Sequence, residues 1–145
     1  MELNGEVTLP YGPEETWKRI NDPEVLKACI PGCESLERTG DNSFSAVVKI
    51  KIGPVSARFK GNVELTDLNH PHSLRLVGSG EGGMAGFAKG GANVTLTNVA
   101  EGCRLSYVAE ANVGGKIAQL GTRLLDGVAK KLADQFFNNL AGYQA

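Results

Sequence analysis

Apolar and polar residues alternate along most of this chain, and only the segments near its two ends depart from that pattern. Residues 2–9 alternate strictly, with Leu3, Val7 and Leu9 on one face and polar side chains on the other. A period of two is typical of a half-buried strand. The same period holds from about residue 34 to 113 and is interrupted at Gly53-Pro54 and at residues 69–72. We therefore predict about six further antiparallel strands joined by short turns.

Three segments show a helical period instead. Pro13 suits the first turn of a helix, so residues 13–21 are predicted to form a short amphipathic helix. Asp22-Pro23 begins a second short helix that runs to about Cys29. Near the C-terminus, apolar residues recur every three or four positions and predict one helix of about 25 residues. Its apolar positions are Ile117, Leu120, Leu124, Val128, Leu132, Phe136 and Leu140.

This order of elements predicts an α+β fold in which a sheet of about seven strands curves around the long C-terminal helix, with both short helices between the first two strands. A twisted sheet cannot lie flush along a straight helix over its whole length. The small residues Gly78, Ala92, Ala109 and Ala111 are predicted to face inward and to widen the gap. The pattern is compatible with a ligand-sized cavity and equally with a core that larger side chains fill.

The composition limits the classes of function. The chain has 145 residues, which suits one domain over residues 1–145, and a formal net charge of -1. The charges alternate in sign, so we expect no nucleic-acid binding. The N-terminal residues carry no secretory signal pattern, and no apolar stretch of about 18 residues is present. Together with three cysteines, an odd number, these features predict a cytoplasmic location.

Several motifs suggest chemistry that their context does not support. Residues 78–83 match a glycine-rich dinucleotide pattern, but the glycine-rich stretch after them is predicted to form a hairpin instead of the required helix. Cys29 and Cys33 lack a second nearby pair of zinc ligands, and His70 and His72 share one predicted turn. We therefore predict no metal site, no cofactor and no catalytic His–nucleophile pair.

Three separated motifs resemble the CoxG family, which is named after an accessory component of carbon monoxide dehydrogenase. They are residues 22–34 with Cys29-Ile30-Pro31-Gly32-Cys33-Glu34, residues 52–55 followed by Ala57, Phe59 and Gly61, and residues 113–121 leading to Phe136-Phe137. The resemblance covers nearly the whole chain. It implies the START-like (SRPBCC) helix-grip fold, also seen in Bet v 1-like proteins, whose members enclose apolar ligands in a cavity.

The resemblance also implies a role as a non-catalytic accessory protein. Family members accompany molybdenum hydroxylases such as carbon monoxide dehydrogenase and are thought to recruit the enzyme to the membrane or to pass its electrons to a quinone. We therefore expect three partners: a quinone- or lipid-like molecule, molybdenum hydroxylase subunits, and the inner face of the membrane as a peripheral contact. The expected cavity walls are Trp17, Leu26, Phe44, Val48, Phe59, Val63, Leu76, Val94, Leu96, Tyr107, Leu120, Leu124 and Val128.

Two other classes of function remain open from the sequence. The first is an enzyme of the polyketide cyclase or aromatase type, which needs an acid–base group facing the cavity near Tyr107. The second is a protein-docking module with a filled core that contacts its partner through residues 29–34 or 78–91.

Overall fold

The computed structural model describes residues 1–143 and consists of one seven-stranded antiparallel sheet with three α-helices. The strands are β1 (Glu2–Leu9), β2 (Cys33–Gly40), β3 (Ser43–Ile52), β4 (Val55–Asn69), β5 (Ser73–Glu81), β6 (Phe87–Val99) and β7 (Gly102–Gly114). The helices are α1 (Pro13–Ile20), α2 (Pro23–Cys29) and α3 (Thr122–Gly142), and short 3₁₀ turns cover Gly83–Ala85 and Lys116–Leu120.

The strand order in the sheet is β1-β7-β6-β5-β4-β3-β2. Six consecutive strands, β2 to β7, thus form a meander, and β1 joins it by pairing with β7, with Leu3 opposite Ala109 and Leu9 opposite Cys103. The predicted alternation therefore gives the observed faces, since residues opposite each other in an antiparallel pair share a side of the sheet. The fold is the START-like helix-grip fold that the sequence predicts.

Both short helices begin where the sequence predicts them. Pro13 and Pro23 each occupy the first turn of their helix. The Asp22 side chain caps α2 by accepting a hydrogen bond of 2.9 Å from the Glu24 backbone N–H, which satisfies one of the donors that a helix start leaves free. The helix α1 ends at Ile20, one residue before the predicted end.

The prediction of one continuous C-terminal helix of about 25 residues is wrong. Residues 116–120 form a 3₁₀ turn, and α3 begins only at Thr122 and spans 21 residues. Gly121 separates the two segments with φ of 93°, a left-handed conformation that glycine adopts readily and other residues rarely do. The break places Ile117 and Leu120 in the 3₁₀ turn, outside α3.

Buried apolar side chains form two clusters. The large cluster joins α1, α2, one end of the sheet and the C-terminal part of α3, and contains Leu9, Val25, Cys29, Phe44, Leu65, Leu74, Val94, Leu96, Cys103, Leu105 and Leu140. The small cluster lies at the start of α3 and contains Ile52, Phe59, Ala85, Ile117 and Leu125.

Candidate functional site

A cavity of about 480 Å³ lies between α3 and the inward face of the sheet, with walls drawn from both apolar clusters. Ligand pockets in proteins usually measure about 300–1,000 Å³, so this space has the size of a small-molecule site. Its walls are Met1, Ile20, Leu26, Ile30, Leu36, Phe44, Ala46, Val48, Ile50, Ile52, Phe59, Gly61, Val63, Leu65, Leu74, Leu76, Gly80, Ala88, Val94, Leu105, Val113, Ile117, Leu125, Val128, Ala129, Leu132, Phe136 and Phe137.

Strand parity and helix period explain how the sequence builds these walls. Every second residue of β3 from Phe44 to Ile52 lines the cavity, whereas the charged residues between them, such as Lys49, point to the other face. On α3, Leu125, Val128 and Leu132 and their neighbours recur every three or four positions and cover the cavity as a lid. The same periods that predict the fold therefore produce the walls.

The chemistry of the walls is uniform. Among residues 1–143, every residue that lines the cavity is apolar or glycine, so this part of the chain gives the cavity surface no acid, base or hydrogen-bonding side chain. Within residues 1–143, no three His, Cys, Asp or Glu side chains converge in a way that could hold a metal ion. Such a surface excludes water and favours a hydrocarbon guest.

Eight of the thirteen predicted wall residues line the cavity, and five lie outside its walls. The eight are Leu26, Phe44, Val48, Phe59, Val63, Leu76, Val94 and Val128. The five are Trp17, Leu96, Tyr107, Leu120 and Leu124. Contact of the eight with a ligand stays a prediction, since the structure shows the space and not a guest.

Trp17, Leu96 and Tyr107 are inward-facing residues that belong to the large cluster instead of the cavity wall. Trp17 packs edge-on against His70, with ring centroids 5.1 Å apart. The Tyr107 ring stacks on Phe137 and packs over Gly5 of β1, where a Cβ would collide with the ring. Strand parity gives the correct face for Leu96 and Tyr107, but it does not give their distance from the cavity along the strand.

Leu120 and Leu124 lie outside the walls for different reasons. Leu120 falls in the 3₁₀ turn and packs against the small cluster. Leu124 is 37% exposed on the flank of α3, where its Cδ2 would lie 2.9 Å from a Cβ added at Gly53. The break at Gly121 thus removes Leu120 from the helix, whereas Leu124 is continuous with Val128 in α3 and lies at the edge of its apolar face.

The small residues that widen the cavity also differ from the predicted ones. Gly78, Ala92, Ala109 and Ala111 are absent from the walls. The small residues that do line it are Ala46, Gly61, Gly80, Ala88 and Ala129. The walls also include residues with no periodic signal of their own, such as Met1 ahead of β1 and Ile30 after α2. Only the packing of distant elements brings these two residues to the cavity.

Tyr107 is the one residue with a polar side-chain hydroxyl among the wall residues predicted from the sequence. Burial raises the pKa of this hydroxyl above its ordinary value, and the nearby Asp134 raises it further while Lys130 opposes the rise. The side chain therefore stays a neutral phenol over the physiological pH range. It contacts Phe137, which does line the cavity, so it supports the wall from behind.

The remaining motifs fold as the sequence predicts. Residues 78–83 belong to the β5–β6 hairpin and its 3₁₀ turn, so the glycine-rich pattern does not precede a helix. The side chains of Cys29 and Cys103 are buried, and burial raises the pKa of both thiols. His70 and His72 are both exposed, and His70 Nε2 lies 3.0 Å from a carboxylate oxygen of Glu14.

None of the helices within residues 1–143 is both long enough and apolar enough to cross a lipid bilayer.

Several solved structures have the same architecture as this chain. A conserved protein from Geobacillus kaustophilus is 37% identical, with a TM-score of 0.90 over 97% of this chain and 93% of that one. A START superfamily protein from Mycobacterium smegmatis has 12% identity and a TM-score of 0.72, covering 97% of this chain and 94% of that one. A protein from Chromobacterium violaceum has 16% identity and a TM-score of 0.68, covering 97% and 94%.

The two distant structures share the fold alone, and no curated protein matches the chain significantly. The family model for CoxG, the G component of carbon monoxide dehydrogenase, matches residues 5–144, which is nearly the whole sequence. This match agrees with the three motifs and the helix-grip fold, and the chain therefore belongs to the carbon monoxide dehydrogenase CoxG family.

Proposed function

We propose that this protein is a non-catalytic carrier for an apolar molecule of the quinone or lipid type. The observation that carries the proposal is the cavity of about 480 Å³ with uniformly apolar walls. A cavity of about 150 Å³ lined by Leu, Ile and Phe stays dry and binds small aromatic guests. A void more than twice that size leaves many wall atoms without dispersion partners, which a hydrocarbon guest supplies.

The walls also limit which part of the guest is buried. They offer no donor or acceptor side chain, so an embedded carbonyl or headgroup would lose its hydrogen bonds to water without replacement. We expect the isoprenoid or acyl chain to occupy the cavity and the polar ring or headgroup to lie at its rim. Affinity should then rise with chain length, by about 0.8 kcal/mol for each buried methylene.

We further propose that the protein is accessory to a molybdenum hydroxylase of the carbon monoxide dehydrogenase type. Membership of the CoxG family supports this partner. In such an assembly a bound quinone would accept the electrons of the enzyme, or the carrier would bring the enzyme to the membrane. Co-purification with the hydroxylase subunits tests the partnership, and a hydroxylase that never associates with the carrier would contradict it.

An enzyme of the cyclase or aromatase type receives no support from the cavity. Acid–base catalysis needs a titratable side chain within hydrogen-bonding reach of the guest. The walls supply hydrocarbon groups and the Met1 thioether, and the Tyr107 hydroxyl lies outside them.

The test of the carrier function compares two substitutions on the same helix. Ala129 lines the cavity, whereas Leu124, five residues earlier, does not. We expect Ala129→Trp to fill the cavity and to lower quinone uptake at least tenfold. Leu124→Trp should leave uptake unchanged. Uptake is measured by titrating purified protein with a quinone delivered from cyclodextrin, and solvent extracts of the purified protein are analysed by mass spectrometry.

Two results would overturn the carrier function. One is a protein that carries no extractable apolar molecule and takes up neither quinone nor lipid. The other is uptake that Ala129→Trp leaves at the level of Leu124→Trp, since the guest would then bind elsewhere.

A further inference from the structure

Three connections meet at one end of the molecule, next to the small cluster. They are the β3–β4 turn at residues 53–54, the β5–β6 turn at residues 82–86 and the β7–α3 connection at residues 115–121; we call this surface the turn end. The β5–β6 turn contacts both β4 and the 3₁₀ turn before α3. A Cβ added at Gly115 would lie 2.5 Å from the Gly86 Cα, which shows how closely the two connections approach.

The β5–β6 turn presents a methionine to solvent. Met84 is 86% exposed, far more than any other large apolar side chain among the described residues. Its neighbour Ala85 is buried in the small cluster and fixes the turn to the core. Hydrogen bonds from Gly82 N–H to Gly86 C=O (2.8 Å) and from Ala85 N–H to Gly82 C=O (3.2 Å) close the turn. Met84 is therefore held outward by an ordered turn.

Three basic residues lie on or next to the other two connections of the turn end. Lys51 precedes the β3–β4 turn, Lys116 begins the 3₁₀ turn, and Arg123 lies in the first turn of α3, all of them exposed. Leu124, 37% exposed, adds a second apolar side chain beside Gly53. The acidic residues of these elements include Asp126 in α3 and Glu81, which stands opposite Lys60 in the sheet.

The opposite end of the molecule, where α1 and α2 lie, carries charges of both signs, and we call it the helix end. Glu14, Glu15 and Glu24 lie in the first turns of the two helices, and Lys18, Arg19 and Lys27 lie in their last turns. Contact between Glu14 and His70 places α1 beside the β4–β5 turn, which lies at the other end of the strands from residues 53–54. An approaching negatively charged surface is therefore attracted to the exposed Lys51, Lys116 and Arg123 of the turn end, whereas the mixed charges of the helix end offer no comparable excess of positive charge.

We propose that the turn end is the surface by which this protein docks onto an anionic lipid bilayer. The inference deepens the membrane-recruitment part of the proposed function and rests on it. Shallow insertion of exposed apolar side chains combined with basic residues near anionic headgroups is the usual physics of peripheral membrane binding. Met84 and Leu124 supply the insertion, and Lys51, Lys116 and Arg123 supply the attraction.

Docking in this orientation places the cavity next to the membrane. Ile52, Phe59, Ile117 and Leu125 belong to the small cluster under the turn end and also line the cavity. These side chains and the Ala85 turn would then lie between the bilayer hydrocarbon and the cavity. A quinone or lipid would therefore pass between two apolar phases without crossing bulk water.

Vesicle flotation tests the proposal with variants that have matched controls. The probes are vesicles of phosphatidylcholine alone and vesicles with one-third phosphatidylglycerol. Met84→Asp should lower binding to anionic vesicles at least tenfold. Lys116→Glu and Arg123→Glu should each lower binding to anionic vesicles at least fivefold. Loss of the attraction of one basic residue to an anionic surface accounts for about fivefold by itself, and the new negative charge adds repulsion. Leu68→Asp is the control, because Leu68 is 44% exposed near the end of β4 that lies away from the turn end.

The outcomes separate this proposal from the carrier function. Quinone uptake from cyclodextrin needs no vesicles, so Met84→Asp should retain uptake and Ala129→Trp should retain flotation. Wild-type protein that binds neither kind of vesicle would overturn the docking surface and leave the carrier function standing. Equal loss with Leu68→Asp would overturn it as well. Wild-type dimers in gel filtration that Met84→Asp dissociates would assign the patch to self-association instead.

Discussion

The two ends of the cavity differ in how completely they are packed. At the helix end, Leu9, Cys103, Leu105 and Leu140 are at most 1% exposed, and they join strands, α1, α2 and α3 in one cluster. At the turn end, five buried residues form a smaller cluster held by turns. The cavity lies between the two clusters and is lined by residues of both. We infer that the helix end supplies most of the stability, which allows the middle of the molecule to remain hollow.

The largest expected effect comes from truncation in the packed end. Leu140→Ala should lower the free energy of unfolding by about 3–5 kcal/mol, because Leu140 is fully buried and its removal leaves a new void. Val128→Ala, on the cavity wall, should cost about 1 kcal/mol, since it only enlarges an existing space. Urea denaturation measures both. Equal losses would mean that the two regions are packed alike.

The next effect concerns the backbone of the turn end. Gly86 has φ of 119°, and a Cβ there would collide with the Gly114 carbonyl oxygen. Gly86→Ala should therefore cost about 2–3 kcal/mol. Gly127→Ala is the control, because Gly127 is exposed on α3 and an added Cβ there meets nothing within 4 Å. This substitution should raise the free energy of unfolding by about 0.5–1 kcal/mol. Thermal unfolding of both variants checks this, and a neutral Gly86→Ala would contradict the tight approach.

A smaller loss of stability is expected when the hydrogen bond between α3 and the segment before α1 is removed. The Tyr11 hydroxyl donates a hydrogen bond of 2.6 Å to the Leu140 carbonyl oxygen. Tyr11→Phe removes the donor and should cost about 1 kcal/mol. Chemical denaturation measures the change, with Tyr107→Phe as a comparison because that ring mainly stacks on Phe137. A loss for Tyr107→Phe as large as that for Tyr11→Phe would argue against the role of this bond.

The smallest expected effect is a decline in stability at alkaline pH. Burial raises the pKa of the Cys29 and Cys103 thiols and of the Tyr11 hydroxyl, with Arg19 opposing the shift at Cys29 and Tyr11. Groups whose pKa is higher in the folded state contribute stability that is complete below their unfolded pKa, about 8.5 for Cys and 10 for Tyr. That stability is lost as the pH rises through the folded pKa.

Urea midpoints at pH 7.5, 9 and 10.5 should therefore decrease in that order. A Cys29→Ala, Cys103→Ala double variant should flatten the first part of the decline and keep the tyrosine part. A midpoint that rises between pH 7.5 and 10.5 would contradict the sign of these shifts.

Periodicity predicts the fold and the face of most cavity residues. The period of two gives the inward positions of β3 and β4, and the helical period gives Val128 on α3. Position along an element is harder to predict. Leu96 and Val94 lie on the same face of β6, yet Val94 lines the cavity and Leu96 lies outside it within the large cluster. Nothing in a repeating pattern marks the point where the core ends and the cavity begins.

The break in the C-terminal helix has a different cause. Gly121 has a conformation that glycine tolerates, but glycine also occurs inside helices, as Gly127 does here. The apolar positions before and after the break fit one continuous period, so the pattern gives no sign of the reset. The resemblance to the CoxG family recovers what periodicity leaves open, which is whether the interior is hollow.

The pairing of β1 with β7 has a consequence for the order in which the molecule assembles. All other strand neighbours are consecutive in the chain and form as local hairpins, whereas Met1 and Ala111 exchange hydrogen bonds across almost the whole sequence. Such distant pairing closes a long loop and is slow. We expect β1, although it is synthesised before the other strands, to be among the last to dock, which pulsed hydrogen exchange during refolding would show as late protection of β1. Until β1 docks, the edge of β7 and the apolar side chains that β1 covers stay exposed, so this is the interval in which the chain is most prone to aggregate.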